Sequence, residues 1–379
     1  MNKRIIADIF NQMADFVEKG EYTKKIKVGI TTLGSEHGSS EMILGAEMAQ
    51  SKFSDVEVLL IGDRGSSNLK SYEAKTLEEC HQIMERLLDE GELDACVTMH
   101  YNFPLGVATV GRVVTPAKGK ELLIATTTGT AAFDRIEAMV RNAIYGNIVA
   151  RALGIERPTI GILNVDGSRQ VERILKQLKE KGYDLNFAIS SRQDGGVIMR
   201  GNDILSASCD VMVTDTLTGN IIVKLLSAYT TGGDYEALGY GYGPGIGENC
   251  KKLILILSRA SGSPVAANAI KFAAELIKGR LFEIVLKEFE AAKKAGFEEI
   301  IKDMRDKEAP KKQTDAKIPE KKPVTEEIYG IDILELEDMV KLLWVKGIYA
   351  ESGMGCTGPV ILVNKEDYQK ALEIVNKTK

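Results

Sequence analysis

Cysteine is scarce in this chain: five in 379 residues, at 80, 96, 209, 250 and 356, with no CxxC pair. That speaks against a disulfide frame and against a thiolate zinc site. No apolar run approaches the roughly 20 residues that a membrane helix needs. Positive charge is not in excess either, since the formal net charge is −5. A nucleic acid or an anionic membrane is therefore not expected as the main partner. No GxxxxGK[ST] sequence occurs, which argues against a P-loop. The three histidines, at 37, 81 and 100, show no metal-ligand spacing, so no metal is expected. The opening stretch "MNKRIIADIFNQMADFVEKG" carries apolar residues at 5, 6, 9, 10, 13, 16 and 17, with Asp8 and Asp15 between them. It reads as an amphipathic helix and not as an export signal, and the chain is expected in the cytoplasm.

What is present is the composition of a globular chain, 44% hydrophobic and 27% charged. Seven short apolar, β-branched runs read as buried strands: 25–32, 56–62, 95–100, 121–128, 158–164, 210–215 and 252–257. Helical patterns lie between them at 38–52, 73–90, 134–154, 168–181 and 218–228, and a long one spans 264–293. Strands this apolar, alternating with helices, imply parallel sheet covered on both faces. The stretch "DKEAPKKQTDAKIPEKKPVTEE" (306–327) has linker composition, with three prolines, many charges and almost no large apolar residue. After it come a helical pattern, a short strand, a glycine loop, a strand and a closing helix, which make a small tethered module.

Within that module, "ESGMGCTGPVILV" (351–363) sets Cys356 among Gly353, Gly355 and Gly358. Glycines there would let another group approach the backbone and would leave amide N–H groups free. Nearby amides or a cation would lower a thiol from about 8.5 and make it a nucleophile. Cys356 is the candidate reactive thiol, with Gly355 and Thr357 beside it as substrate contacts. Cys80 and Cys209 read as buried filler, and Cys96 is the second choice of thiol.

Parallel sheets hold ligands outside the carboxyl ends of their strands. "VTDTLTGNIIVKLL" places Asp215, Thr218, Gly219 and Asn220 after a strand and at the start of a helix, the arrangement of a capped anion site. "LILSRASGSP" places Ser258 and Arg259 likewise, and arginine offers a planar fork suited to phosphate. "ATTTGTAAFDR" (125–135) and "TLGSEHGSSE" (32–41) add hydroxyls, Gly129 and His37 at further strand ends. Arg112, in "TVGRVVTP", is a further candidate cation. The glycine-rich "GYGYGPGIGE" (239–248) precedes a strand, which argues against a dinucleotide fingerprint, and is expected as a mobile loop near the crevice.

Together "GIERPTIGILN", "DVMVTDTLTGNIIVKL" and "ILSRASGSPVAANAI" resemble the phosphate acyltransferase family, and the Ser258–Arg259 pair resembles the active-site motif of phosphotransacetylases. The resemblance covers roughly residues 25 to 300. It implies an α/β fold of two doubly wound domains facing a cleft, like that of isocitrate and isopropylmalate dehydrogenases, with the C-terminal α/β module added. On that plan residues 1–140 and 258–303 form the first domain, 141–257 the second, 304–327 a flexible linker and 328–379 the module. A body of this type followed by a "GMGCTGP" module resembles the component C family of glycine/sarcosine/betaine reductase complexes. That resemblance implies an acetyl group carried on Cys356 and released to inorganic phosphate as acetyl phosphate. Phosphate and acyl contacts would then fall on Ser258, Arg259, Thr218 and Asn220. It implies no cofactor, the beta subunit of component C and the selenoprotein component A as partners, and an oligomer. One departure stands out: phosphotransacetylases carry an aspartate shortly after their LSR motif, whereas "ASGSPVAAN" holds no acid. Open alternatives are an acyltransferase of phospholipid synthesis acting on acyl carrier protein or coenzyme A, and a non-catalytic assembly subunit. A decarboxylating dehydrogenase would need clustered acids and a cofactor loop.

Overall fold

Residues 25–192, 195–308, 318–331, 333–355 and 358–378 are described by a computed structural model. All seven apolar runs form strands, and further strands lie among them. In chain order they are β1 (Ile26–Thr31), β2 (Val56–Ile61), β3 (Ser71–Tyr72), β4 (Ala95–Thr98), β5 (Val107–Val114) and β6 (Glu121–Thr130). Then come β7 (Thr159–Leu163), β8 (Asn186–Phe187), β9 (Ile198–Met199), β10 (Val211–Val213), β11 (Gly243–Ile246) and β12 (Ile254–Ile256). These twelve make one sheet in the order β3-β2-β1-β4-β12-β11-β5-β6-β10-β7-β8, with β9 also beside β7.

The sheet is mixed. The run β3-β2-β1-β4-β12 is parallel, and so is β6-β10-β7 with β8 and β9. Between these blocks, β11 is antiparallel to both β12 and β5, and β5 is antiparallel to β6. Two correlated differences from the sequence reading follow. The glycine-rich stretch is no mobile loop, because residues 240–247 are buried and β11 runs through the middle of the sheet. Its glycines serve close approach: at Gly243, with φ +85°, a Cβ would collide with the Val110 carbonyl. And β6, expected on the first domain's side of a boundary at 140, pairs with β10 in the second block.

Helices cover the sheet: α1 (Ser39–Lys52), α2 (Leu77–Asp89), α3 (Arg135–Ala152), α4 (Ser168–Glu180), α5 (Gly201–Ser206) and α6 (Thr216–Ala228). Polar residues start several of them. Thr76 accepts from the Glu79 N–H and Asp134 from the Glu137 N–H, relieving first-turn donors that have no partner within the helix. α3 is buried along nearly its whole length, as a helix between layers must be. The pattern expected as one helix over 264–293 is two, α7 (Ser263–Lys278) and α8 (Leu281–Lys294), broken where Arg280 adopts φ +56°.

The expected linker is shorter than its composition suggested. Helix α9 (Phe297–Glu308) extends into it, and its far end is held on the module. There the Pro323 carbonyl accepts from Asn364 Nδ2 at 2.9 Å, the Thr325 N–H donates to the Val363 carbonyl, and Lys322 pairs with Asp367 at 2.9 Å. The module folds around its own apolar cluster, which includes Ile328, Leu343, Ile361 and Val375. It comprises β13 (Glu326–Ile328), α10 (Ile333–Val345), β14 (Ala350–Gly355), β15 (Gly358–Val363) and α11 (Tyr368–Thr378), with strand order β13-β15-β14. Among the described residues no helix is long and apolar enough to cross a membrane.

Candidate functional site

A largely buried polar cluster lies at the carboxyl end of β12. Past Ile256 the chain leaves the sheet through Leu257 and Ser258 and enters α7 at Ser263. Ser258 is buried, and its Oγ accepts from Lys224 Nζ at 3.0 Å and from the Ala260 N–H at 3.2 Å. Lys224 comes from α6, one helical turn beyond Asn220, so the helix start and the strand end singled out from sequence meet through it. Its ammonium also faces Glu236 Oε1 at 3.5 Å, and lies 5.9 Å from the centre of the Tyr242 ring. Glu236, 2% exposed, accepts from Ser261 Oγ at 2.9 Å through its other oxygen.

Loops close around this point. The Arg259 carbonyl accepts from the Glu36 N–H at 2.9 Å, which ties the "TLGSEHGSSE" loop to the strand end. His37 meets Tyr235 edge to face, with ring centres 6.1 Å apart. The first free amide of α7, on Ser263, is satisfied by Glu41 Oε2 at 2.9 Å. Arg259 itself is exposed, and among the described residues its guanidinium has no carboxylate or hydrogen-bond partner. A cation left open beside a lysine-held serine is an arrangement for an anion. Burial lowers the Lys224 pKa, but Tyr242 and Glu236 outweigh that and hold it above the ordinary lysine value, so the ammonium stays charged.

The helix start at α6 is organised differently. Asp215 caps the helix, accepting from the Thr218 N–H at 3.1 Å and from Thr218 Oγ1 at 2.7 Å, and Arg135 sits 3.3 Å away. Asn220 Nδ2 donates to the Thr127 carbonyl at 3.1 Å. Gly219 lets the helix lie against β6, since a Cβ there would collide with the Thr126 carbonyl. The hydroxyls of the threonine run engage β5 and backbone carbonyls: Thr109 Oγ1 meets Thr127 Oγ1 at 2.6 Å, and Thr127 Oγ1 donates to the Tyr242 carbonyl at 2.7 Å. A shallow cavity of about 260 Å³ opens beside Asp215, lined by Arg135, Met139, Asn142, Thr216 and Leu217 among others.

Arg112 is not placed as an open cation. It is 9% exposed, pairs with Glu121 and Glu275, and stacks 4.2 Å from the Tyr240 ring centre and 5.4 Å from that of Phe272. Its donors belong to the fold.

Cys356 and Thr357 lie outside the described residues. The strands on either side pair through Gly355 and Gly358, so the glycines expected as a loop are largely strand. The four described thiols are unsuited to nucleophilic work. Burial pushes Cys80 up to about 11 and Cys209 up to about 12, and it raises Cys96 and Cys250 as well.

Sequence reasoning missed Lys224 and Glu236. Lys224 is the only charge in the apolar turn Ile221–Leu226, which is a legible signal. Glu236 follows "GGDY" and carries no such mark.

A model of the family described as fatty acid synthesis protein matches residues 26–362, and the chain belongs to that family. The chain is 55% identical to the glycine/sarcosine/betaine reductase complex component C subunit alpha of Peptoclostridium acidaminophilum, over 98% of this chain and 97% of that one. It is 29% identical to the phosphate acyltransferase of Geobacillus sp. (strain WCH70), over 53% of this chain and 71% of that protein. Among solved structures it is similar to a branched-chain phosphotransacylase from Enterococcus faecalis V583, with TM-score 0.44 and 15% identity over 66% of this chain and 99% of that one.

Proposed function

We propose that this member of the fatty acid synthesis protein family is an acyltransferase that moves an acetyl group from a thioester on Cys356 to inorganic phosphate, as a subunit of a reductase complex. The observation that carries the reading is the open cation Arg259 next to Ser258, itself held by Lys224, at the carboxyl end of β12. Identity to a reductase component over nearly the whole chain supports the assignment to such a complex, and the likeness to a phosphate acyltransferase supports the reaction type.

The step balances without an oxidant. An oxygen of HPO₄²⁻ forms a bond to the thioester carbonyl carbon, the C–S bond breaks, and its electron pair leaves on sulfur. The products are acetyl phosphate and the Cys356 thiolate. Two anionic centres develop together, the tetrahedral oxyanion and the entering phosphate, and preorganised donors stabilise both; losing one such donor commonly costs about 10²–10³-fold. The tether would raise the local concentration of the thioester at the phosphate site. In this scheme Asp215, Thr218, Gly219 and Asn220 fix α6 so that Lys224 meets Ser258.

Incubating the full chain with acetyl phosphate, followed by peptide mass spectrometry, tests the reading. The expected result is one added acetyl group on the peptide holding Cys356, and none in Cys356→Ser. Acetyl phosphate chemistry unimpaired in Cys356→Ser would overturn the thioester role and favour a plain phosphate acyltransferase acting on a carrier thioester.

A further inference from the structure

We infer that Lys224 is a direct phosphate contact, the second cation of the anion site, and that Glu236 is the positioning carboxylate that holds it there. This rests on the proposed function for the acyl donor, but not for the binding of phosphate.

The acid absent from the stretch after Ser258 is present in space. Glu236 arrives from the segment before β11 and bonds Ser261, three residues past Ser258. Its other oxygen faces Lys224, and Lys224 bonds Ser258. The bland alternative is that Lys224 only neutralises a buried carboxylate. The geometry argues otherwise on two counts. The shorter bond of Lys224 is to Ser258, at 3.0 Å, not to Glu236, at 3.5 Å. And 49% of the Lys224 side chain is exposed, so beside its contacts with Ser258, Glu236 and Tyr242 the ammonium stays within reach of an incoming anion, which would share or replace one of them.

Ser258 is set up in the same sense. Its oxygen already accepts two hydrogen bonds, from Lys224 and Ala260, so its own proton is left to donate outward. Ser258, Lys224 and Arg259 thus present a hydroxyl and two cations at one strand end, with the Glu236 carboxylate behind the lysine. Glu236 is badly placed to act as a base on phosphate, because Lys224 and Ser261 engage both of its oxygens. None is needed: HPO₄²⁻ attacks through an oxygen that already carries charge, and the sulfur leaves as thiolate. Glu236 instead limits where the Lys224 ammonium sits.

Titration of the full-length chain with inorganic phosphate, by calorimetry or phosphorus NMR, tests the inference independently of any acyl donor. Lys224→Met should weaken phosphate binding about tenfold or more, the loss expected for one charge-assisted hydrogen bond. Lys224→Arg, which keeps the charge, should recover most of it. Glu236→Gln keeps the shape and should weaken phosphate about three- to tenfold with little change in Tm. In turnover, both effects should fall on KM for phosphate more than on kcat. Unchanged phosphate affinity in Lys224→Met, with a lowered Tm, would overturn the inference and leave Lys224 as a neutraliser of Glu236. A wild-type chain that binds phosphate through Lys224 but forms no acetyl phosphate would support the inference and sink only the acyl reading. A wild-type chain that binds no phosphate would overturn both.

Discussion

Arg112 and Arg259 look alike in sequence, each following an apolar run, and the structure treats them oppositely. Arg112 lies on β5 at the centre of the sheet, between Glu121 and Glu275 and against two aromatic faces. Arg259 stands one residue beyond a buried serine with its guanidinium in solvent. A buried arginine must have its charge compensated by the protein, because desolvation is costly. An exposed one is free to meet a charge that arrives later. The same contrast separates the α6 start, where Asp215, Thr218 and Asn220 bond neighbours within the fold, from the β12 end, where Ser258 keeps a proton to donate. Polar residues at a strand end therefore mark a candidate site only when their donors are not already engaged by the protein.

The largest way to break the contrast is at Arg112. Arg112→Ala would leave two carboxylates facing each other beside emptied ring faces. It should cost roughly 2–4 kcal/mol in denaturant unfolding, below a fully buried pair because Glu121 and Glu275 retain some solvent contact. A loss under about 0.5 kcal/mol, the size of an ordinary surface change, would mean that Arg112 is not structural and restore it as a substrate cation.

Asp203, at the start of α5, sharpens the same point with a carboxylate. Burial pushes its pKa up, but hydrogen bonds from the Arg200 and Ser191 N–H groups and from the Ser190 and Ser191 hydroxyls, all at 2.8 Å, more than offset that. The folded-state pKa is therefore depressed. Such a group contributes stability above its unfolded value near 3.9, and the contribution is lost as pH falls through the folded value. Asp203→Asn should cost about 1–3 kcal/mol at pH 7, since the amide cannot accept all four bonds. The difference from wild type should shrink steadily below about pH 4. A difference constant from pH 7 to pH 3 would show that the charge is not what those donors hold.

How much of this was legible follows from the same physics. Seven of the ten described strands that pair in parallel were visible because a strand buried on both faces must be apolar along its length. The other three, β3, β8 and β9, have two residues each and are too short to carry such a run. β11 was not visible, because two of its four residues are glycines, Gly243 lying against the Val110 carbonyl and Gly245 against the Phe103 ring, which leaves no apolar run to read. The break between α7 and α8 was hidden because Arg280 takes a left-handed backbone that arginine does not advertise. At the site, Ser258 and Arg259 could be read from their position after a strand. Glu236 could not, since it reaches Ser261 across 25 residues of chain, through a contact that no local pattern encodes.

The smallest expected effect on stability, and the sharpest test of the contrast, is at Arg259. Arg259→Ala removes a side chain with no described partner, so unfolding should stay within about 0.5 kcal/mol of wild type. Its backbone carbonyl keeps the bond from Glu36, so the loop around residues 32–38 is not released. Phosphate binding should nevertheless fall by tenfold or more, about the worth of one charged contact. Arg259→Lys should recover only part of that, because a point charge replaces a planar fork. If Arg259→Ala instead unfolds like Arg112→Ala, the guanidinium is engaged within the protein, and the open end of β12 is not where an anion binds.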